Sequence, residues 1–162
     1  MPQRNRILLL AVLGALAVSA LAAPPSQPDF SGKWTLNAGK SDLGPVPPPK
    51  SRTEDIAQKG QHIKVVRAQT DASGKSSTLT LDCPIGGTDC AVNFSDTSVK
   101  MAGKAKWDGA VLVFNLTVTT GGGQLTIDDR YTRSADGKTI VVKRHLASMM
   151  GAIDQTLVME KP

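Results

Sequence analysis

Apolar and polar positions alternate along most of this chain, the period of two that marks a strand with one buried face. From Ala110 to Thr120, Leu112, Phe114, Leu116 and Val118 share one parity, and Val111, Val113, Asn115 and Thr117 share the other. The first set is the better candidate for an interior. Leu125, Ile127, Asp129 and Tyr131 fall together in the next stretch, and Ile140, Val142, Arg144 and Leu146 in the one after. Between the β-branched runs stand Gly60, Asp71-Ala72-Ser73-Gly74-Lys75, Asp108-Gly109, Gly121-Gly122-Gly123 and Ala135-Asp136-Gly137-Lys138, which is hairpin punctuation. No segment keeps a helical period over three turns. The pattern predicts an all-β fold of about 8–9 antiparallel strands with sequential connections. Closing it into an up-and-down β-barrel is the natural way to remove exposed edges.

Two of these strands carry a charge on their apolar parity. If the Asp136-Gly137 turn is a two-residue loop, Asp129 lies opposite Arg144 and both face inward. If it is a three-residue loop with Gly137 as a bulge, Asp128 lies opposite Arg144 and Asp129 opposite Lys143. An interior pair is costly to desolvate but could anchor the polar end of a ligand. The ordinary alternative, a cross-strand surface pair contributing ~0.2–1 kcal/mol, is the expectation.

Residues 1–22 read as an export signal, with Arg4 and Arg6 ahead of an apolar run from Ile7 to Leu21 and a small-x-small site at Ala20-Leu21-Ala22. Cleavage would leave a single barrel domain over residues 23–162, exported to the periplasm or the extracellular space, with no stable membrane insertion. Loss of the two arginines takes the formal charge from +5 to +3. The remaining basic residues are scattered, and three Phe, two Trp and one Tyr are too few for a base-stacking platform, so nucleic acid is not an expected partner. Cys83 and Cys90 bracket Pro84-Ile85-Gly86-Gly87-Thr88-Asp89, and in an exported chain they should form a disulfide worth on the order of 2–3 kcal/mol. Gly44-Pro45-Val46-Pro47-Pro48-Pro49 makes the connection after the first strand stiff and extended.

Candidate chemistry is sparse. His62 and His145 sit on different strands without Cys or Glu at ligand spacing, so no metal site is expected. No nucleophile-elbow pattern singles out a serine to join His145 and Asp154, and no phosphate loop follows the glycine triplet. Catalysis and cofactors are therefore not expected.

Phe30-Ser31-Gly32-Lys33-Trp34, just after the signal, resembles the opening Gly-x-Trp motif of lipocalins and the wider calycin group. A longer set, including Lys106-Trp107-Asp108-Gly109, Asp129-Arg130-Tyr131 and Gln155-Thr156-Leu157-Val158, is similar to small secreted bacterial lipocalin-like proteins of uncharacterised function. The resemblance implies that Trp34 plugs one end of a barrel, with Gly32 beside it and a late-strand base, Arg130 or Arg144, packed across it. It also implies reversible binding of a small apolar or amphipathic molecule inside. The ligand-lining set expected on that basis is Leu112, Phe114, Leu116, Ile127, Asp129, Tyr131, Val142 and Arg144. A protein–protein module or inhibitor with a filled barrel core is the competing expectation. Neither oligomeric state nor ligand identity follows from the residues.

Overall fold

The computed structural model describes residues 27–162; the expected signal at residues 1–22 lies outside them. The chain forms β1 (Gly32–Leu36), β2 (Ser51–Lys59), β3 (His62–Thr70), β4 (Ser76–Pro84), β5 (Ala91–Phe94), β6 (Lys100–Asp108), β7 (Val111–Thr120), β8 (Gly123–Arg133), β9 (Thr139–Ser148) and β10 (Gly151–Glu160). All ten belong to one sheet in the order β5-β4-β3-β2-β1-β10-β9-β8-β7-β6. Every pairing is antiparallel, and the first strand meets the last, with Thr35 opposite Glu160. The result is an up-and-down barrel, nearly closed, with slightly more strands than the sequence predicted. The extra one is β5, whose four residues follow the cysteine loop and give too short a run to register as a strand.

The edges of the rolled sheet are β5 and β6. They are drawn together by the loop that the Cys83–Cys90 disulfide closes. Gly87 and Cys90 donate backbone N–H groups from that loop to the carbonyls of Ala105 and Gly103 on β6, each at 2.8 Å. Gly103 is required here by space. A Cβ on it would come within 2.7 Å of the Leu116 side chain on neighbouring β7.

One end of the barrel is plugged. Trp34 is buried and donates from its indole Nε1 to the Phe30 carbonyl at 2.9 Å. Phe30 stacks on Trp107 and meets Tyr131 edge-on. The base lying over Trp34 is Lys161, with Nζ 5.0 Å from the ring centroid. This corrects the expectation of Arg130 or Arg144. Arg130 faces outward and pairs with Asp108, and Arg144 points into the barrel further up. Position along the chain could not separate a late-strand base from one just beyond the last strand. Gly32, at φ 134°, leaves the room that Lys161 needs, since a Cβ there would sit 3.2 Å from its Cε.

Above the plug the interior is packed. Leu112, Phe114, Leu116, Ile63, Leu81 and Leu157 are all at most 2 % exposed. At the other end, the mouth, lie the long β1–β2 connection and the β3–β4, β5–β6, β7–β8 and β9–β10 turns. A single turn of 3₁₀ helix, Ala38–Lys40, starts that connection, and Asp42 bridges to Thr156 on β10.

Candidate functional site

The alternation that buries Ile56 on β2 also buries Glu54 and Arg52, two and four residues earlier. On β3 the parity of Ile63 and Val65 brings Arg67 inside. On β8 and β9 it brings Asp129, Tyr131 and Arg144. The hairpin register decides the last of these. Asp129 is directly opposite Arg144, and Asp128 opposite His145. The turn spans four residues, with Ser134 N–H donating to the Thr139 carbonyl and Gly137 N–H to that of Ser134. Its register equals that of a two-residue loop, so the inward arrangement holds and the expected surface pair is corrected. The fork of Arg144 fits both carboxylate oxygens of Asp129, and the fully buried carboxylate needs that partner.

The six side chains form one network between the packed core and the mouth. Arg52 Nη2 donates to Glu54 Oε1 at 2.7 Å, and Arg67 Nε donates to the same oxygen at 2.8 Å. The Tyr131 hydroxyl donates to Glu54 Oε2 at 2.9 Å and accepts from Arg67 Nη2 at 3.1 Å. Arg144 donates from Nε and Nη2 to the two oxygens of Asp129, each at 2.6 Å, while Arg67 Nη2 stands 3.6 Å from Asp129. Glu54 and Asp129 are 1 % and 0 % exposed, Arg52 only 3 %.

Three guanidiniums face two carboxylates, so the network carries one surplus positive charge. The surplus falls on Arg52. Its Nε is buried and has no hydrogen-bond partner among the described residues. Burial lowers its pKa, the guanidiniums of Arg67 and Arg144 lower it further, and it comes to about 10, still a cation at neutral pH. Burial alone would raise Glu54, yet Arg67 and Arg52 outweigh it and hold the carboxyl at about 2. Asp129 is likewise lowered against its burial, by Arg144 above all. Burial raises the Tyr131 hydroxyl and Glu54 adds to the rise, so it remains a donor. Arg67 and Arg144 are raised despite burial, by the carboxylates beside them.

Two cavities meet at this layer. One of about 200 Å³ is walled by Arg52, Arg67, Gln69, Leu79, Phe94, Met101, Val118 and Arg144, among others. The other, of about 140 Å³, lies beneath the Pro-rich connection, between Leu43, Val46, Pro47, Pro49 and the side chains of Arg52, Gln69, Arg144 and Gln155. Arg52, Gln69 and Arg144 border both. The connection is tied down over the second cavity by Gln155 Nε2, which donates to the Leu43 carbonyl at 2.9 Å.

Of the residues expected to line a ligand site, Asp129 and Arg144 come together here with Tyr131. Leu112, Phe114, Leu116 and Val142 lie in the packed core below, and Ile127 is partly buried against it. Arg52, Glu54 and Arg67 were missed. The signal for them was charge on the apolar parity of β2 and β3, the same signal that singled out Asp129 and Arg144. On the outer wall, His145 pairs with Asp154 at 2.7 Å and His62 with Asp82 at 3.0 Å. Among the described residues no group of three metal-ligating side chains converges.

No protein-family model matches the chain, and no curated protein matches it. Among solved structures it is similar to the zebrafish ileal bile acid-binding protein complexed with cholic acid. That likeness has a TM-score of 0.48 and 14 % identity, and it covers 82 % of this chain and 98 % of that one.

Proposed function

We propose that this chain is an exported, non-catalytic β-barrel that holds a small amphipathic molecule, with an acidic head group on Arg52 and an apolar tail towards the mouth. The observation that carries the reading is Arg52, which borders both cavities and whose buried Nε has no partner among the described residues, in a layer with one positive charge in excess. A buried donor left without an acceptor is costly, and a carboxylate brings both the acceptor and the missing negative charge. Leu79, Phe94, Met101 and Val118 supply apolar walls beside it. The disulfide supports an oxidising compartment outside the cytoplasm. The Gly-x-Trp opening of the chain fits the same reading.

A second reading has its own observation. The lower barrel is packed solid by Leu112, Phe114 and Leu116, as a protein–protein module would have it, and Met149 and Met150 stand fully exposed at a hairpin tip. Calorimetric titration of protein stripped of lipids with dodecanoate and with dodecanol separates the two. The expected result is carboxylate binding about 10–100-fold tighter than alcohol binding, the worth of a charge-assisted hydrogen bond, with the preference lost in Arg52→Leu. Equal affinities would overturn the head-group assignment, and no binding of either would favour the module.

A further inference from the structure

The barrel has one seam, and its two halves are built differently. Along the lower half the loop between Cys83 and Cys90 lies against β6. Ile85 bridges to Ala105 and Asp89 to Lys104, and the N–H groups of Gly87 and Cys90 donate to the Ala105 and Gly103 carbonyls. Along the upper half β5 and β6 face each other as the two ends of the sheet, with no ladder between them. Phe94 on one side of that unpaired stretch and Val99 and Met101 on the other wall the 200 Å³ cavity that contains Arg52. The side wall of the arginine layer is thus the least bonded part of the barrel.

The backbone donors that hold the lower seam come from within the ring closed by Cys83 and Cys90, seven residues apart. Free of that ring, a loop with Gly86 and Gly87 has far more conformations to lose before it can lie along β6. Cys83 is fully buried and Cys90 is half-buried against the core, which makes Cys90 the more accessible of the two to a reductant.

We propose that the Cys83–Cys90 disulfide is a redox-sensitive clasp on the β5–β6 seam, and that its reduction by a dithiol opens the barrel wall at the arginine layer and speeds ligand exit. The exit rests on the ligand reading above; the opening does not. In the exchange, a thiolate of the reductant attacks Cys90 Sγ, the Cys83–Cys90 bond breaks, and Cys83 departs as a thiolate that takes a proton in its apolar surroundings. The reductant's second thiol then attacks the mixed disulfide and frees Cys90. Two electrons and two protons pass from the dithiol to the cysteines, and the reductant leaves as its own disulfide.

Hydrogen exchange on the ligand-free chain, oxidised and reduced with dithiothreitol, tests the opening. Exchange at Gly87, Cys90 and Ala91–Phe94 should quicken by about tenfold or more, with β8, β9 and β10 unchanged. The Cys83→Ala/Cys90→Ala variant should match the reduced protein without reductant. Faster exchange spread evenly over all strands, as for a disulfide that merely adds stability, or no change at all, overturns the clasp. Stopped-flow dissociation of dodecanoate tests the exit, and a rise of about tenfold on reduction is expected. Equal rates with localised exchange overturn the exit alone. Localised exchange without dodecanoate binding to either form overturns the ligand reading and leaves the clasp standing.

Discussion

Asp129 receives a parallel fork from Arg144 inside the barrel, Nε to Oδ1 and Nη2 to Oδ2, both at 2.6 Å. Removing either partner leaves a buried charge uncompensated. Asp129→Asn is expected to cost about 3–5 kcal/mol, read from urea unfolding. Asp129→Leu combined with Arg144→Met should recover most of that loss, because an apolar pair of similar volume removes both desolvation penalties. A double variant as unstable as the single one would mean the fork contributes more than it costs to bury.

Acid should unfold this protein through its buried carboxylates. Glu54 has a folded pKa of about 2 against an ordinary 4.5. The unfolded chain therefore binds a proton at this carboxyl first as the pH falls. Stability from Glu54 is complete above about pH 4.5 and drains away as pH drops towards about 2. Asp129, also lowered, acts in the same direction. Urea midpoints should be flat from pH 7 to pH 5 and fall steeply below pH 4.5. A midpoint unchanged down to pH 3 would contradict this.

Tyr131 holds the two ion pairs together through one hydroxyl, which donates to Glu54 and accepts from Arg67. Tyr131→Phe keeps the ring against Phe114 and Phe30 and removes only that oxygen. The expected cost is about 1–3 kcal/mol at pH 7, and the difference from the parent protein should narrow as the pH falls below about 4.5, because Glu54 loses a donor and its folded pKa moves back towards the ordinary value. Equal acid sensitivity in the two proteins would show that Tyr131 does not hold Glu54 in its charged form.

The plug should matter for stability and not for binding. Trp34→Ala removes a fully buried side chain and should cost about 3–5 kcal/mol, whereas Lys161→Met, at an exposed site, should cost about 0.5–1 kcal/mol. Dodecanoate affinity should be unchanged in Lys161→Met. A large loss of affinity there would place the ligand at the wrong end of the barrel.

The fold was legible because strand alternation and turn chemistry are local properties. Asp136 and Gly137 announced a hairpin, and Leu112, Phe114 and Leu116 announced its neighbour's buried face. The hairpin's register was not legible, since it depends on how Ser134 and Thr139 pair across the turn. With it went the choice between an inward and an outward Asp129. Glu54 and Arg67 lie thirteen residues apart and Glu54 and Tyr131 seventy-seven. Glu54 and Arg67 face each other across the β2–β3 hairpin, but only closure of the sheet brings Glu54 to Tyr131, and no local pattern encodes closure. Lys161 was hidden for a related reason, because it reaches Trp34 from beyond the last strand.

The most direct test of the head-group assignment is the arginine Nε–H NMR spectrum of the chain, titrated with dodecanoate and, separately, with dodecanol. The Arg52 Nε–H signal, assigned by its loss in Arg52→Leu, should shift strongly as dodecanoate saturates the protein and stay in place with dodecanol. A saturated dodecanoate complex in which that signal does not move would contradict the assignment of Arg52 as the seat of an acidic head group.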